Sequence, residues 1–193
     1  MLDQQIAFLT ETDKLKNVER KTSPIGLLRK ENSAEHSWQV ILSAIILAEH
    51  SKEPIDLLKV IKMLAIHDIP EIDCGDVFHY AKTTDPCLAA NELAATRRIL
   101  GLLPECQSEE LLALWQEFEA QETPESRFAH SVDRLMAFIM NQGNHGGTWK
   151  EFGLTKSQVL DKNSHVADGS PGLFALIQRI TSEATEQGWI KGE

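Results

Sequence analysis

The chain has 193 residues, 42% hydrophobic and 25% charged, which is ordinary for a globular protein and enough for one sizeable core. Nineteen Lys and Arg against 29 Asp and Glu leave a net charge of −10. That balance argues against a non-specific nucleic-acid binder, which needs a basic surface to neutralise phosphates.

Helix signals then follow one another along the chain. Leu2 to Lys16 carries apolar residues at Ile6, Leu9 and Leu15, and a basic, Pro/Gly-interrupted connection follows over 17–32. Asn32 with Glu35 three residues on has the pattern of a capping box, for a helix from about Ser33 to Glu49. Val40, Ile41, Leu42, Ile45, Ile46 and Leu47 make that helix apolar on most sides, so it is expected to be central. Pro54 suits the first turn of the next helix, and Pro70 ends it near His67-Asp68. A loop is expected from about Ile72 to Thr84, then Asp85-Pro86 as N-cap and first helical position, with Gly101 as the stop.

Ser108 opens a helix through Trp115 and Phe118, and Thr123-Pro124 opens another through Phe128, Val132, Leu135 and Ile139 to Gly143. A Gly-rich turn over 144–148 reads as a plain helix connection, and Ser157 to Val166 is weakly helical. Ser170-Pro171 starts a final helix whose stripe of Leu173, Leu176, Ile177 and Ile180 would close the core or meet a partner. No segment alternates with period two. The expectation is an all-α single domain, with a core over about 15–142 and a helical extension over about 149–188.

Polar residues in apolar surroundings mark the chemistry. His67 and Asp68 stand together where the apolar helix runs out. Drawing an imidazole and a carboxylate toward a core is costly unless something compensates them, and a divalent metal accepts both as ligands. His36 shares a helix stripe with Val40 and Ser43, and Asp133 has Ala129, His130, Met136 and Ala137 around it at helical spacing. Taken singly, His36 reads as a hydrogen-bonded core histidine and His67-Asp68 as a helix end beside a surface acid. Asp133 wants a cation, and Arg134 at the adjacent position is expected to point elsewhere. The four together form a ligand set.

The order His36…His67-Asp68…Asp133 resembles that of the HD superfamily of metal-dependent phosphohydrolases. Ala34-Glu35-His36-Ser37-Trp38-Gln39 is similar to its first histidine segment, and Val132-Asp133-Arg134-Leu135 to its late aspartate segment. The run from His67 to Asp76 resembles the HDxxExxxGD pattern of the YfbR/HDDC2-like branch, whose characterised members are 5′-deoxynucleotidases. The similarity extends from about Leu15 to Ile139. It implies a divalent transition metal such as Mn²⁺ or Co²⁺ on His36, His67, Asp68 and Asp133, with Glu71 and Asp76 as an acid/base pair of unassigned order. It also implies substrate contacts at Arg20, which matches a phosphate-contacting arginine, and at Lys82. Lys21 stands where some relatives carry a bulky aromatic against the sugar, so weak discrimination between deoxyribo- and ribonucleotides is expected.

The implied reaction is release of phosphate from (deoxy)nucleoside 5′-monophosphates, by a homodimer as in relatives. Three rivals share part of the pattern. An HD hydrolase with this ligand set would also suit a nucleoside triphosphate or an alarmone; a diiron oxygenase would need histidines beyond His79 and His130; a non-catalytic metal-stabilised binding module would not need Glu71 and Asp76. Cys74, Cys87 and Cys106, odd in number and without CxxC spacing, fit a reducing, cytoplasmic setting. Met1 to Gln5 lacks signal-peptide features, and Val40 to Ala48 is too short to span a bilayer, so no membrane partner is expected. Among the other conspicuous residues, His130 is expected beside the site or at the surface, and His79, His145 and His165 in loops or at the surface. Trp38, Trp115 and Trp149 are expected to pack.

Overall fold

The computed structural model describes residues 1–81 and 87–193. Helix α1 spans Leu2–Thr12 and runs into a 3-10 turn over Asp13–Asn17. Helices α2 (Ser33–Leu47), α3 (Leu57–Ile66), α4 (Glu71–Cys74), α5 (Leu88–Leu100), α6 (Glu105–Ala120) and α7 (Pro124–Gly143) follow. Helices α8 (Gly147–Glu151), α9 (Lys156–Lys162), α10 (Val166–Gly169) and α11 (Pro171–Glu186) complete the chain. Among the described residues there is no strand, only isolated bridges at Glu19–Asn32 and Thr155–Lys191. The fold is all-α.

Caps explain the helix starts. Asn32 and Glu35 form the expected capping box on α2, and Thr123 with Ser126 forms another on α7. The Ser170 hydroxyl accepts from Leu173 N at 3.2 Å and donates to the His50 carbonyl at 2.6 Å, so it fixes α11 and ties it to the 3-10 turn Ala48–His50 that follows α2. Helix α3 starts later than Pro54 suggests. The Asp56 carboxylate accepts from the amides of Leu58 and Lys59, satisfying donors that a helix begun at Pro54 would leave to chance. Helix α6 starts earlier than Ser108, directly after Pro104. The expected Asp85-Pro86 start of α5 lies outside the described residues; Gly101 does end that helix.

Helix α7, not α2, is the axis of the bundle. Its Phe128, Ala129, Val132, Leu135 and Met136 are buried, and α2, α3, α6, α10 and α11 pack against it. Helix α2 buries Val40 and Ala44 there but leaves Trp38, Leu42, Ile45 and Ile46 substantially exposed. Apolarity on most sides therefore does not make α2 central, and Trp38, 65% exposed, lies outside the core of the described residues. The stripe Leu173, Ile177 and Ile180 of α11 closes the core. Packing at one crossing is very close: a methyl group on Gly169 of α10 would lie 2.2 Å from the Arg127 carbonyl oxygen of α7.

Candidate metal and phosphate site

The connection before α2 is folded back on itself. Arg20 N donates to Glu31 O at 2.8 Å, Glu31 N to Thr22 O at 3.0 Å and Ser33 N to Val18 O at 3.0 Å. This clamp sets Arg20 beside the first turn of α2, and the Asn32 cap fixes that turn so that His36 points inward, 1% exposed. The end of α3 supplies His67 and Asp68, α4 and the following loop supply Glu71 and Asp76, and α7 supplies Asp133.

One ligand atom each from His36, His67 and Asp133 lies within 4.8 Å of the other two. The His67 Nδ1 is 2.9 Å from the Leu64 carbonyl, which only accepts, so Nδ1 carries a proton and Nε2 is the ring nitrogen left to offer a lone pair to a metal. That Nε2 is buried without a hydrogen-bond partner among the described residues. A buried lone pair so oriented fits a metal, because a metal satisfies it and the anchored Nδ1 sets the tautomer. The His36 Nε2 is 2.8 Å from Asp133 Oδ1. Burial, helped by Arg20, pushes the His36 imidazole down to about 4, leaving it neutral at pH 7 as ligation requires. Burial works against the Asp133 charge, yet Arg134 and His36 hold that carboxyl well below the usual range.

Asp68 adjoins the trio without being part of it. Its Oδ2 accepts from Arg20 Nη1 at 2.9 Å, and its Oδ1 is 3.1 Å from His67 Nε2. The same Arg20 nitrogen is 3.7 Å from both Glu71 and Asp76, and Arg20 Nε is 3.6 Å from Glu31. Glu71 also accepts from the Ser33 hydroxyl at 2.5 Å. Burial and the Asp68 charge push Glu71 up to about 9, against the pull of Arg20 and Ser33. Burial raises Asp76 as well, again opposed by Arg20. The structure thus brings seven of the eight expected residues together; Lys82 lies outside the described residues.

Other residues depart from expectation or were not foreseen. Arg134 folds back onto Asp133 instead of pointing away, with Nε 3.0 Å from Oδ2. His79 borders the cleft, and burial pushes it down to about 3. His130 is half-buried, stacked on Phe118 and bonded to the Phe118 carbonyl. Glu31, 2% exposed, places Oε2 3.7 Å from His36 Nδ1. Its only mark in the sequence is its place beside the Asn32 cap. The cleft continues from the charged residues to an aromatic wall of Phe78, Tyr80, Phe138 and Trp149. Trp149 is therefore both a packing residue, as expected, and part of that wall.

Two imidazoles, a carboxylate and a nearby guanidinium on a helical frame suit metal-dependent chemistry on an anionic substrate. The HD domain family model matches residues 12–174, and the chain belongs to that family. It is similar to the solved structure of a predicted metal-dependent phosphohydrolase from Magnetospirillum magnetotacticum MS-1. The two are 40% identical with a TM-score of 0.92, over 98% of this chain and 95% of that one. A conserved hypothetical protein from Pyrococcus furiosus shares the fold, at 23% identity and a TM-score of 0.66 over 94% of this chain and 99% of that one. The 5′-deoxynucleotidase HDDC2 of Danio rerio is 24% identical over 72% of this chain and 68% of its own length. The Homo sapiens protein of that name is 25% identical over 67% of this chain and 62% of its own length.

Proposed function

We propose that this HD-domain protein is a divalent-metal-dependent phosphohydrolase that releases phosphate from (deoxy)nucleoside 5′-monophosphates. The observation that carries the reading is the buried His67 Nε2, opposite the Nδ1 that donates to the Leu64 carbonyl and without a hydrogen-bond partner among the described residues, grouped with His36 and Asp133, with Arg20 and two buried carboxyl groups beside it. Similarity to proteins named 5′-deoxynucleotidase and metal-dependent phosphohydrolase supports it.

His36, His67, Asp68 and Asp133 would hold a first-row ion such as Mn²⁺ or Co²⁺. When bound, such an ion polarises the phosphoryl group and lowers the pKa of a nearby water. Arg20 offers its N–H fork to the phosphate oxygens, a geometry suited to a dianion. Glu71 and Asp76 share the proton transfers, one taking a proton from water and the other giving one to the leaving oxygen. The aromatic wall gives the nucleoside an apolar face. Lys82 would add a second cation.

The exposed Trp38, Leu42, Ile45 and Ile46 on α2 support a homodimer, since a contiguous apolar face of this kind marks an interface. The free thiols of Cys74 and Cys106 support a cytoplasmic setting. Among the described residues, no helix is long and apolar enough to cross a membrane. A phosphate-release screen over nucleotides with several divalent ions, alongside elemental analysis, tests the reading. Metal-dependent release from nucleoside 5′-monophosphates is expected. Release only from triphosphates, or none at all, would overturn it.

A further inference from the structure

The two oxygens of Asp133 face different partners. Oδ1 is 2.8 Å from His36 Nε2, whereas Oδ2 is 3.0 Å from Arg134 Nε and 2.5 Å from Arg134 Nη2. Neighbouring side chains leave a helix in different directions, so Arg134 reaches this oxygen only by folding back along its own turn. Two of its five N–H groups are used there, and the other three have no hydrogen-bond partner among the described residues. The side chain keeps 22% of its surface exposed and borders the same cleft as Arg20. Two guanidinia therefore flank one cleft, each anchored on a carboxylate next to the imidazoles: Arg20 on Asp68, Arg134 on Asp133.

A permanent cation beside a metal site opposes metal binding by simple repulsion. Its presence makes chemical sense if an anion arrives to share it. We propose that Arg134 is a second phosphate-binding residue, which restricts Asp133 to ligation through Oδ1 and receives phosphate oxygens together with Arg20. This inference rests on the phosphohydrolase reading above.

The test uses Arg134→Gln and Arg134→Lys in the full chain. Metal-free protein is titrated with Co²⁺ and followed by absorption, and the loaded protein is then titrated calorimetrically with inorganic phosphate. Arg134→Gln should bind Co²⁺ at least as tightly as the wild type, by about threefold once the repulsion is gone. It should bind phosphate about tenfold more weakly, as expected for a lost charged hydrogen bond. Arg134→Lys keeps the charge but not the fork, and should bind phosphate with intermediate affinity.

Unchanged phosphate affinity in fully loaded Arg134→Gln would overturn the proposal, as would a tenfold loss of Co²⁺ affinity, which marks a mere support for Asp133. Should Arg134→Gln fail to fold, Arg134→Lys decides alone, and wild-type phosphate affinity there would overturn the proposal. A wild-type protein that binds Co²⁺ and phosphate yet hydrolyses no monoester would sink the functional reading, while the phosphate titrations would still decide the role of Arg134.

Discussion

Glu71 is gripped from two sides, by the Ser33 hydroxyl at one oxygen and by Arg20 near the other. Glu71→Gln and Asp76→Asn should therefore keep fold and metal while kcat falls by roughly 10²-fold or more, the usual worth of a positioned proton-transfer group. Stopped assays of phosphate release on metal-replete protein would check this; near wild-type turnover in both would place the proton chemistry elsewhere. Lys21 borders the cleft where an aromatic would pack against a sugar. Matched dAMP/AMP and dCMP/CMP pairs should thus differ in kcat/KM by only about tenfold, as for a pocket without a tight sugar contact. A thousandfold preference would show that another residue of the cleft senses the 2′ position. His36, His67 and Asp133 were readable from sequence because each interrupts an apolar stripe at a definite helical phase. Glu31, Ser33, His79 and Arg134 were not. Ser33 meets Glu71 from a segment remote in the chain, Glu31 is buried by the fold-back of the connection around Arg20 and Thr22, His79 owes its burial to the cleft it borders, and Arg134 folds back against the direction its position implies.

At the scale of elements, caps were the most legible feature, because a capping box is a local hydrogen-bond pattern and local sequence is enough to specify it. The start of α3 shows where two local signals compete. Pro54 is permitted in a first turn, but Asp56 actively satisfies two amides, and the stronger interaction sets the boundary. Asp56→Ala should accordingly cost about 1 kcal/mol in denaturant unfolding, typical of a lost N-cap. A change within error would mean that the Glu125 side chain, which accepts from Asp56 N, suffices to hold this corner. The central position expected for α2 failed for a different reason. Composition reports how apolar a helix is, not whether its outer face is covered by the same chain.

For the molecule as a whole, buried neutral imidazoles link stability to pH. Burial depresses the folded-state pKa of His130 to about 4, below the ordinary value near 6.5. Its contribution is complete above pH 6.5 and is lost as pH falls toward 4, because only the unfolded chain binds the proton across that window. Metal-free protein should lose stability steadily from pH 6.5 to pH 4, and His130→Gln should reduce the slope by about one proton. Denaturant midpoints across that range would show it, and an unaltered slope would mean that His130 is already protonated in the folded protein.

Gly169 has no chemistry of its own, yet it stands in a position of leverage. Its missing side chain lets α10 lie directly on the Arg127 carbonyl, with the Ser131 hydroxyl 2.5 Å from where a methyl would sit. Ser131 is two residues from Asp133 on the same rigid rod. A single added methyl cannot be absorbed there by a flexible neighbour, since the obstacle is backbone. Gly169→Ala should displace this stretch of α7 and be felt as a fall in metal content, measured by elemental analysis, at a position that no inspection of polar groups would select. Full metal occupancy in that variant would show that α10, not α7, yields to the strain.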